Sequence, residues 1–326
     1  MGPVDDFVPR PWPAAPVRVL SIAGTAQNGA TILSRLLGTL DGFVAVGELG
    51  YLWRALAQDA LCGCGRPFRA CPFWQEVGEE AYGGWDSVDP EHASRLRRAV
   101  AFENRRLPQI AALPLIRRPG LSSGYRETLR RYSALLEPLY RAIHTTSGGK
   151  VIVDSMKQPS HPYLLATLPT LDVRVVHLVR DPRGVAYSGT RVVQRVGAPS
   201  HEFRGRRTPL NSAVRWNLVN GAYRLLPRLG TETMTVRYEA LVRSPRDHVV
   251  RIADFAGAPV DPLQLGFIGD GAVQLGVDHM PFANRVRLQG ERLTLRADQE
   301  WQAQMGDGDR RLVSALTWPM RRQYGY

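Results

Sequence analysis

Two hydrophobic periodicities alternate along the chain. Arg18-Val-Leu-Ser-Ile-Ala23 is a short, nearly continuous apolar run bounded by Gly24, and it reads as a buried strand. Ile32, Leu33, Leu36, Leu37 and Leu40 then recur at helical spacing across 31–40. Phe43-Val-Ala-Val46 predicts a second short strand, and 49–61 a helix that ends at the Cys/Gly/Pro segment 62–72. Residues 74–147 read as mostly helical and Arg-rich, interrupted at Gly83-Gly84 and Arg118-Pro-Gly120. Further strands are predicted at 150–154, 173–179 and 233–237, and helices at 184–196, 209–229 and 244–256. A loop-rich stretch over 257–292 and a final helix from about Ala297 complete the pattern.

Short apolar strands alternating with helices specify an α/β fold: a P-loop-like three-layer sandwich with a central parallel sheet and helical insertions. The 326 residues suit a single domain over 17–326, preceded by an acidic, proline-rich arm over 1–16 expected to be flexible. Ligands of such sheets bind outside the carboxyl ends of the strands, so the residues just after each strand carry the chemistry.

After the first strand come Gly24, Thr25, Ala26, Gln27, Asn28, Gly29, Ala30 and Thr31. A glycine-bearing loop running into a helix N-terminus offers backbone N–H groups to a phosphate; a plain strand–helix turn is the bland alternative. The Gly-Lys-Ser/Thr ending of a Walker A loop is missing, which argues against an ATP or GTP enzyme. After the strand at 173–179 comes Arg180, with Ser188 on the following helix. A guanidinium fork and a hydroxyl suit a second phosphate, and a nucleotide phosphorylated at both 5′ and 3′ positions needs two such sites.

Charge and cysteine usage narrow the partners. A net charge of +12 and a pI of about 10.2 point to polyanions or to a solvated Arg-rich surface. The arginines are scattered rather than gathered on one aromatic-lined face, which argues against nucleic acid. There is no apolar run of about eighteen residues and no signal-like N-terminus, so neither a membrane span nor export is expected, and the expected compartment is cytoplasmic. Lys150 and Lys157 are the only lysines; a lysine kept in so Arg-biased a chain marks a need for a compact charge. Cys62, Cys64 and Cys71 form no even disulfide set. A zinc site lacks a fourth cysteine, with His92 the neighbour that could complete one, and no metal ligand set is assigned.

The two phosphate segments, in this order, resemble those of sulfotransferases that use 3′-phosphoadenosine 5′-phosphosulfate (PAPS), especially bacterial relatives of the carbohydrate and tyrosylprotein branches. Val151-Ile-Val-Asp-Ser-Met-Lys157, Val236-Arg-Tyr-Glu-Ala-Leu241 and the stretch from Cys62-Gly-Cys-Gly to Cys71-Pro-Phe-Trp74 resemble family blocks as well. The resemblance spans roughly 17–256 and 279–303. It implies PAPS as co-substrate, no metal required for transfer, and a small-molecule hydroxyl acceptor whose pocket is shaped by 74–147 and 197–208. It further implies that Thr25–Thr31 hold the 5′-phosphosulfate and that Arg180 and Ser188 hold the 3′-phosphate. Glu48 would be the general base, aided by partial burial in an apolar cleft, or simply a helix cap. Lys157 would neutralise the bridging oxygen of the breaking bond, or be a solvated loop lysine. Trp216 and Tyr238 would lie near the nucleotide or in the core, with His279, Asn284, Arg285 and Arg287 in a late loop that covers it and His161 as an alternative base. At Gln27 the family usually carries Lys or Arg on the sulfuryl group. That departure opens a second reading, in which the fold binds the nucleotide or another anion and catalyses a different reaction or none.

Overall fold

Strand β1 (Val17–Ala23) has every residue except Arg18 buried, as expected of a strand covered on both faces. It forms a five-stranded, all-parallel sheet with β2 (Phe43–Gly47), β3 (Val151–Asp154), β4 (Leu171–Val179) and a fifth strand at Thr233–Arg237. Two small antiparallel pairs lie outside it. One joins β5 (Val193–Gln194) to β6 (Phe203–Arg204), and the other joins β8 (Ala272–Gln274) to β9 (Arg292–Thr294); the fifth sheet strand is therefore β7. The sheet order is β2-β3-β1-β4-β7. This structure, a computed structural model, describes residues 15–100, 123–191, 207–269, 271–281 and 292–326, with the backbone of 193–194 and 203–204.

Period-two alternation sends the strand side chains into two separate cores. Val17, Val19 and Ala23 of β1, Ile152 of β3 and Val173 and Val175 of β4 face one core. Leu20, Ile22, Val151, Val153, Val176 and Leu178 face the other. Helices α2 (Leu52–Gln58), α3 (Pro72–Tyr82), α5 (Ser123–Thr146) and α6 (Ser160–Leu165) cover the first face, with α4 (Pro90–Val100) packed against α5. Helix α1 (Ala30–Gly38) and helix Pro245–Phe255 cover the second. Between α6 and that helix the chain forms α7 (Pro182–Thr190), α8 (Pro209–Tyr223) and α9 (Tyr238–Arg243), which makes Pro245–Phe255 α10. The result is the three-layer α/β arrangement expected, and the described parts of 74–147 are mostly helical.

Several boundaries move for local reasons. Helix α2 stops at Gln58 rather than 61, because Asp59 turns left-handed (φ 46°) and the Ala60 N–H reaches back to Ala55 O at 3.0 Å. Helix α7 begins two residues early, at Pro182 in the first turn, with the Asp181 carboxylate capping the Arg183 N–H at 2.8 Å. It ends at Thr190, since the chain beyond pairs as β5 with β6 and the Arg207 N–H returns to Gly189 O at 3.0 Å. The stretch 257–292 holds the β8 strand and reaches the start of β9, so it is less irregular than the sequence implies. The expected final helix is two, α11 (Glu300–Gln304) and α12 (Asp307–Gln323), parted at Met305-Gly306. Among the described residues no helix is long and apolar enough to cross a membrane.

Candidate functional site

Each of the five sheet strands delivers a residue singled out from the sequence to its carboxyl end. Along the sheet these are Glu48 after β2, Lys157 after β3, the 24–31 loop after β1, Arg180 after β4 and Tyr238 after β7. Neighbouring parallel strands end side by side, so residues more than a hundred positions apart meet at one edge.

The loop after β1 is shaped by its own residues. Asn28 is fully buried and donates through Nδ2 to Leu178 O (2.8 Å) and Ala23 O (3.3 Å), while its Oδ1 accepts the Ala30 N–H at 3.1 Å. The Ala30 N–H is thereby spent inside the loop. Gly29 is the N-cap of α1, left-handed at φ 91° and without a side chain to cap the first turn. A Cβ there would lie 2.5 Å from the Tyr238 ring. The uncapped N–H groups of such a helix start attract an anion. Thr25 and Thr31 are buried beside it and Ala26 is half-buried.

Gln27 joins the two expected phosphate segments. Its backbone is left-handed (φ 70°), its Nε2 donates to Ser188 O at 2.7 Å, and its backbone O accepts from Arg180 Nη1 at 2.8 Å. Its Oε1 is buried and has no partner among the described residues. The other arm of Arg180 reaches Asp298, with Nη2 2.9 Å from Oδ2, and the guanidinium sits 5.0 Å over the Tyr238 ring. Tyr238 thus lies against both the 24–31 loop and Arg180. Trp216 does not: it is fully buried and donates Nε1–H to Arg180 O at 3.0 Å, so it is a core aromatic that supports the strand exit. Asn284, Arg285 and Arg287 lie outside the described residues.

Glu48 and Lys157 form an ion pair, each side chain 17% exposed. Glu48 makes no side-chain cap to the short helix that follows, and Lys157 is not a solvated lysine. The surroundings of Glu48 are therefore ionic rather than the apolar cleft expected. What holds the pair is Asp154, the last residue of β3, which is fully buried. Its Oδ1 accepts the N–H groups of Leu49 (3.4 Å) and Met156 (3.0 Å), the chain neighbours of Glu48 and Lys157. Its Oδ2 accepts the Tyr140 hydroxyl at 2.7 Å and lies 2.6 Å from His161 Nε2. Burial, then the Asp154 charge, pushes the Tyr140 phenol well above its ordinary range, so it stays a donor. His161 is 4% exposed within this network and is not placed as a free base.

Further polar groups gather around Tyr51 and Gln158, chain neighbours of the pair, and no motif pointed to them. Arg97 of α4 sits 5.3 Å over the Tyr51 ring and donates to Gln158 Oε1 at 3.2 Å. Tyr51 follows Glu48 by one helical turn, and Gln158 follows Lys157 directly. Arg215 of α8 is shifted below the usual arginine range by burial first and by the charge of Arg207 second, with Tyr51 and Tyr223 close enough to offset this in part. Burial likewise lowers Arg207. In the sequence these arginines are indistinguishable from the many on the surface. Their only signal was a position just before and within a helix that follows a basic loop.

Cys62, Cys64 and Cys71 do gather, but His92 is exposed on α4 and takes no part. The imidazole among the thiols is that of His279, assigned from the sequence to a nucleotide-covering loop.

Among solved structures, the sulfotransferase domain from the curacin biosynthetic pathway superposes with a TM-score of 0.50 at 18% identity, covering 93% of this chain and 99% of that one. The sulfotransferase domain of the Synechococcus PCC 7002 olefin synthase gives 0.46 at 20% identity, over 94% of this chain and 98% of that one. Sulfotransferase STF9 from Mycobacterium avium gives 0.41 at 16%, over 77% and 66%. At such identities the likeness concerns the fold alone. No curated protein sequence matches the chain significantly. A profile of the sulfotransferase family matches residues 21–262. That span, well over half the chain, runs through the 24–31 loop, Glu48, Lys157, Arg180, Ser188 and Tyr238, and the chain therefore belongs to the sulfotransferase family.

Proposed function

We propose that the protein transfers a sulfuryl group from PAPS to a hydroxyl of a small-molecule acceptor. The observation that carries this reading is the Glu48–Lys157 ion pair, which lies at the ends of β2 and β3 beside the anion-cradling exit of β1. A carboxylate and an ammonium at that place match the two charge movements of the reaction. The acceptor hydroxyl gives its proton to Glu48 as its oxygen attacks sulfur. The bond from sulfur to the bridging phosphate oxygen breaks, and the charge appearing on that oxygen is met by Lys157. In this sequence of events the lysine leaves the carboxylate for the donor, which frees Glu48 to act as a base.

The residues present fit the donor. The N–H groups at the start of α1 suit the 5′-phosphosulfate, and Arg180 with Ser188 suits the 3′-phosphate. Arg180 is already oriented by Gln27 O, Asp298 and Tyr238, so little ordering remains when the nucleotide binds. The acceptor would lie toward Tyr51, Arg97 and Arg215, the polar groups gathered beside the chain neighbours of the ion pair. The cations Arg207 and Arg215 can supply the positive charge that the family usually carries at Gln27.

The test is to incubate the chain with PAPS and a panel of alcohols and phenols and to follow adenosine 3′,5′-bisphosphate release. Glu48→Gln and Lys157→Ala should each lower turnover by about 10²–10⁴-fold, the usual span for a proton-transfer group, while leaving calorimetric affinity for adenosine 3′,5′-bisphosphate within a few-fold. Unchanged turnover in both variants would refute the roles. A second reading rests on the Gln27 amide, which is bound to Ser188 O rather than extended from the loop: the fold would bind the nucleotide or another anion without transferring sulfate. Tight adenosine 3′,5′-bisphosphate binding with no turnover on any acceptor would favour it.

A further inference from the structure

Apart from the strand-end residues, three thiols and an imidazole converge between the α2–α3 connection and the segment after β8. Cys62, Cys64, Cys71 and His279 each present one ligand atom, and the four atoms lie within 4.8 Å of one another. Cys64 Sγ is 3.6 Å from Cys71 Sγ, and Cys71 Sγ is 3.3 Å from His279 Nδ1. A tetrahedral zinc ion with Zn–S near 2.3 Å and Zn–N near 2.0 Å sets the edges between its ligands at about 3.5–3.8 Å. These two separations are close to those edges, and Cys62 Sγ lies within 4.8 Å of the other three ligand atoms. They are far from the sulfur–sulfur bond of about 2.05 Å in a disulfide.

The surrounding backbone is built for this approach. The Cys62 N–H donates to Arg66 O at 2.8 Å and the Gly65 N–H to Cys62 O at 3.0 Å, closing a tight turn that holds two of the thiols. A Cβ on Gly63 would fall 1.9 Å from Asp278 Oδ1 and 2.8 Å from Asp278 O, so only glycine lets the 278–280 segment cross that turn. The imidazole is fixed from two sides. Its ring stacks on Phe73 at 4.7 Å and 14°, and its backbone O accepts Trp74 Nε1–H at 2.8 Å. Asp278 in turn lies 3.1 Å from Arg35 Nε, on the helix whose N-terminus forms the anion cradle. A cluster of inert core cysteines would need none of this, since a buried thiol packs as a small hydrophobe.

We infer that Cys62, Cys64, Cys71 and His279 form a closed Cys3His site for a structural zinc ion. Four protein ligands leave no open position for water or substrate, which separates this site from catalytic zinc. Binding exchanges thiol protons for the metal and releases them to solvent. The ion would staple segments 208 positions apart and hold Asp278 against Arg35, fastening the far end of the chain to both the α2–α3 connection and α1. The odd cysteine count, which fits no disulfide framework, then has a reason: the fourth ligand is a histidine that only the fold brings near.

The test uses the full chain, purified without a chelating tag from zinc-supplemented culture. Elemental analysis should find about one zinc per chain. Chelator-stripped protein given cobalt(II) should show the visible bands of a tetrahedral ion together with thiolate-to-cobalt charge transfer, a readout independent of any variant's folding. Cys71→Ser and His279→Ala should each lose most of the bound zinc, whereas His92→Ala should retain it. The site is overturned if the unmutated chain carries no stoichiometric zinc and its cobalt form shows no thiolate charge transfer. Mass spectrometry finding Cys64 and Cys71 joined as a disulfide in the purified chain would overturn it equally.

Discussion

Removing the Asp154 carboxylate should loosen the two strand exits that carry Glu48 and Lys157 at once. The carboxylate has no solvent access and faces four donors: the Leu49 and Met156 N–H groups, the Tyr140 hydroxyl and His161 Nε2. Hydrogen bonds to a buried charged acceptor contribute about 1.5–3 kcal/mol each. Four of them do not add fully, and deleting one partner of a buried charged cluster typically costs about 3–5 kcal/mol. Asp154→Ala should lose an amount in that range. Asp154→Asn keeps one acceptor oxygen for the backbone pair but turns an amide N–H toward Tyr140 and His161, so a smaller loss of about 1–3 kcal/mol is expected. Urea denaturation monitored by tryptophan fluorescence gives both values from the midpoint at constant slope. The positioning role is read separately: Asp154→Asn should lower kcat with little change in adenosine 3′,5′-bisphosphate affinity, because the 24–31 loop hangs on Asn28 rather than Asp154. An Asp154→Ala chain within 0.5 kcal/mol of the parent, a margin typical of neutral surface changes, would refute the reasoning, as would an Asp154→Asn enzyme with unaltered kcat.

Gly29→Ala should cost about 2–4 kcal/mol, combining left-handed strain at φ 91° with a Cβ 2.5 Å from the Tyr238 ring. A second change, Tyr238→Ala, should recover only the steric part of that loss in the same urea assay. Buried His177, which donates from Nε2 to Asn220 Oδ1 at 2.8 Å, is held by burial at about 4, against an ordinary 6.5. The unfolded chain therefore binds a proton that the folded chain refuses, so stability should decline as pH falls from about 6.5 to about 4, by up to about 3 kcal/mol. His177→Gln should flatten the difference between urea midpoints measured at pH 7 and pH 5. Arg215→Met should raise the acceptor KM while leaving adenosine 3′,5′-bisphosphate binding within a few-fold, which initial-rate kinetics and calorimetry would separate.

Strand and helix periods follow from local sequence, because a strand buried on both faces must be apolar throughout and a helix covering it must be apolar on one side. The sandwich was therefore legible, and so were the exits of its strands, where Glu48, Lys157, Arg180 and the 24–31 loop had to lie. Segment ends were less so. The Asp59 carboxylate accepts the Arg69 N–H and β5 pairs with β6, so both ends involve residues outside the helix itself. What only the tertiary structure decided is which distant side chains meet. The order β2-β3-β1-β4-β7 sets Glu48 against Lys157 and gives both their anchor in Asp154. It also assigns Gln27 to the joint between the 24–31 loop and the 180–188 segment and retires Trp216 to the core. His279 reaches the cysteines across 208 positions while His92, much nearer in sequence, points into solvent. Spacing along a chain reports neighbours within a helix or a turn, but contacts between strand ends and loops depend on how the sheet is ordered, and no local pattern encodes that order.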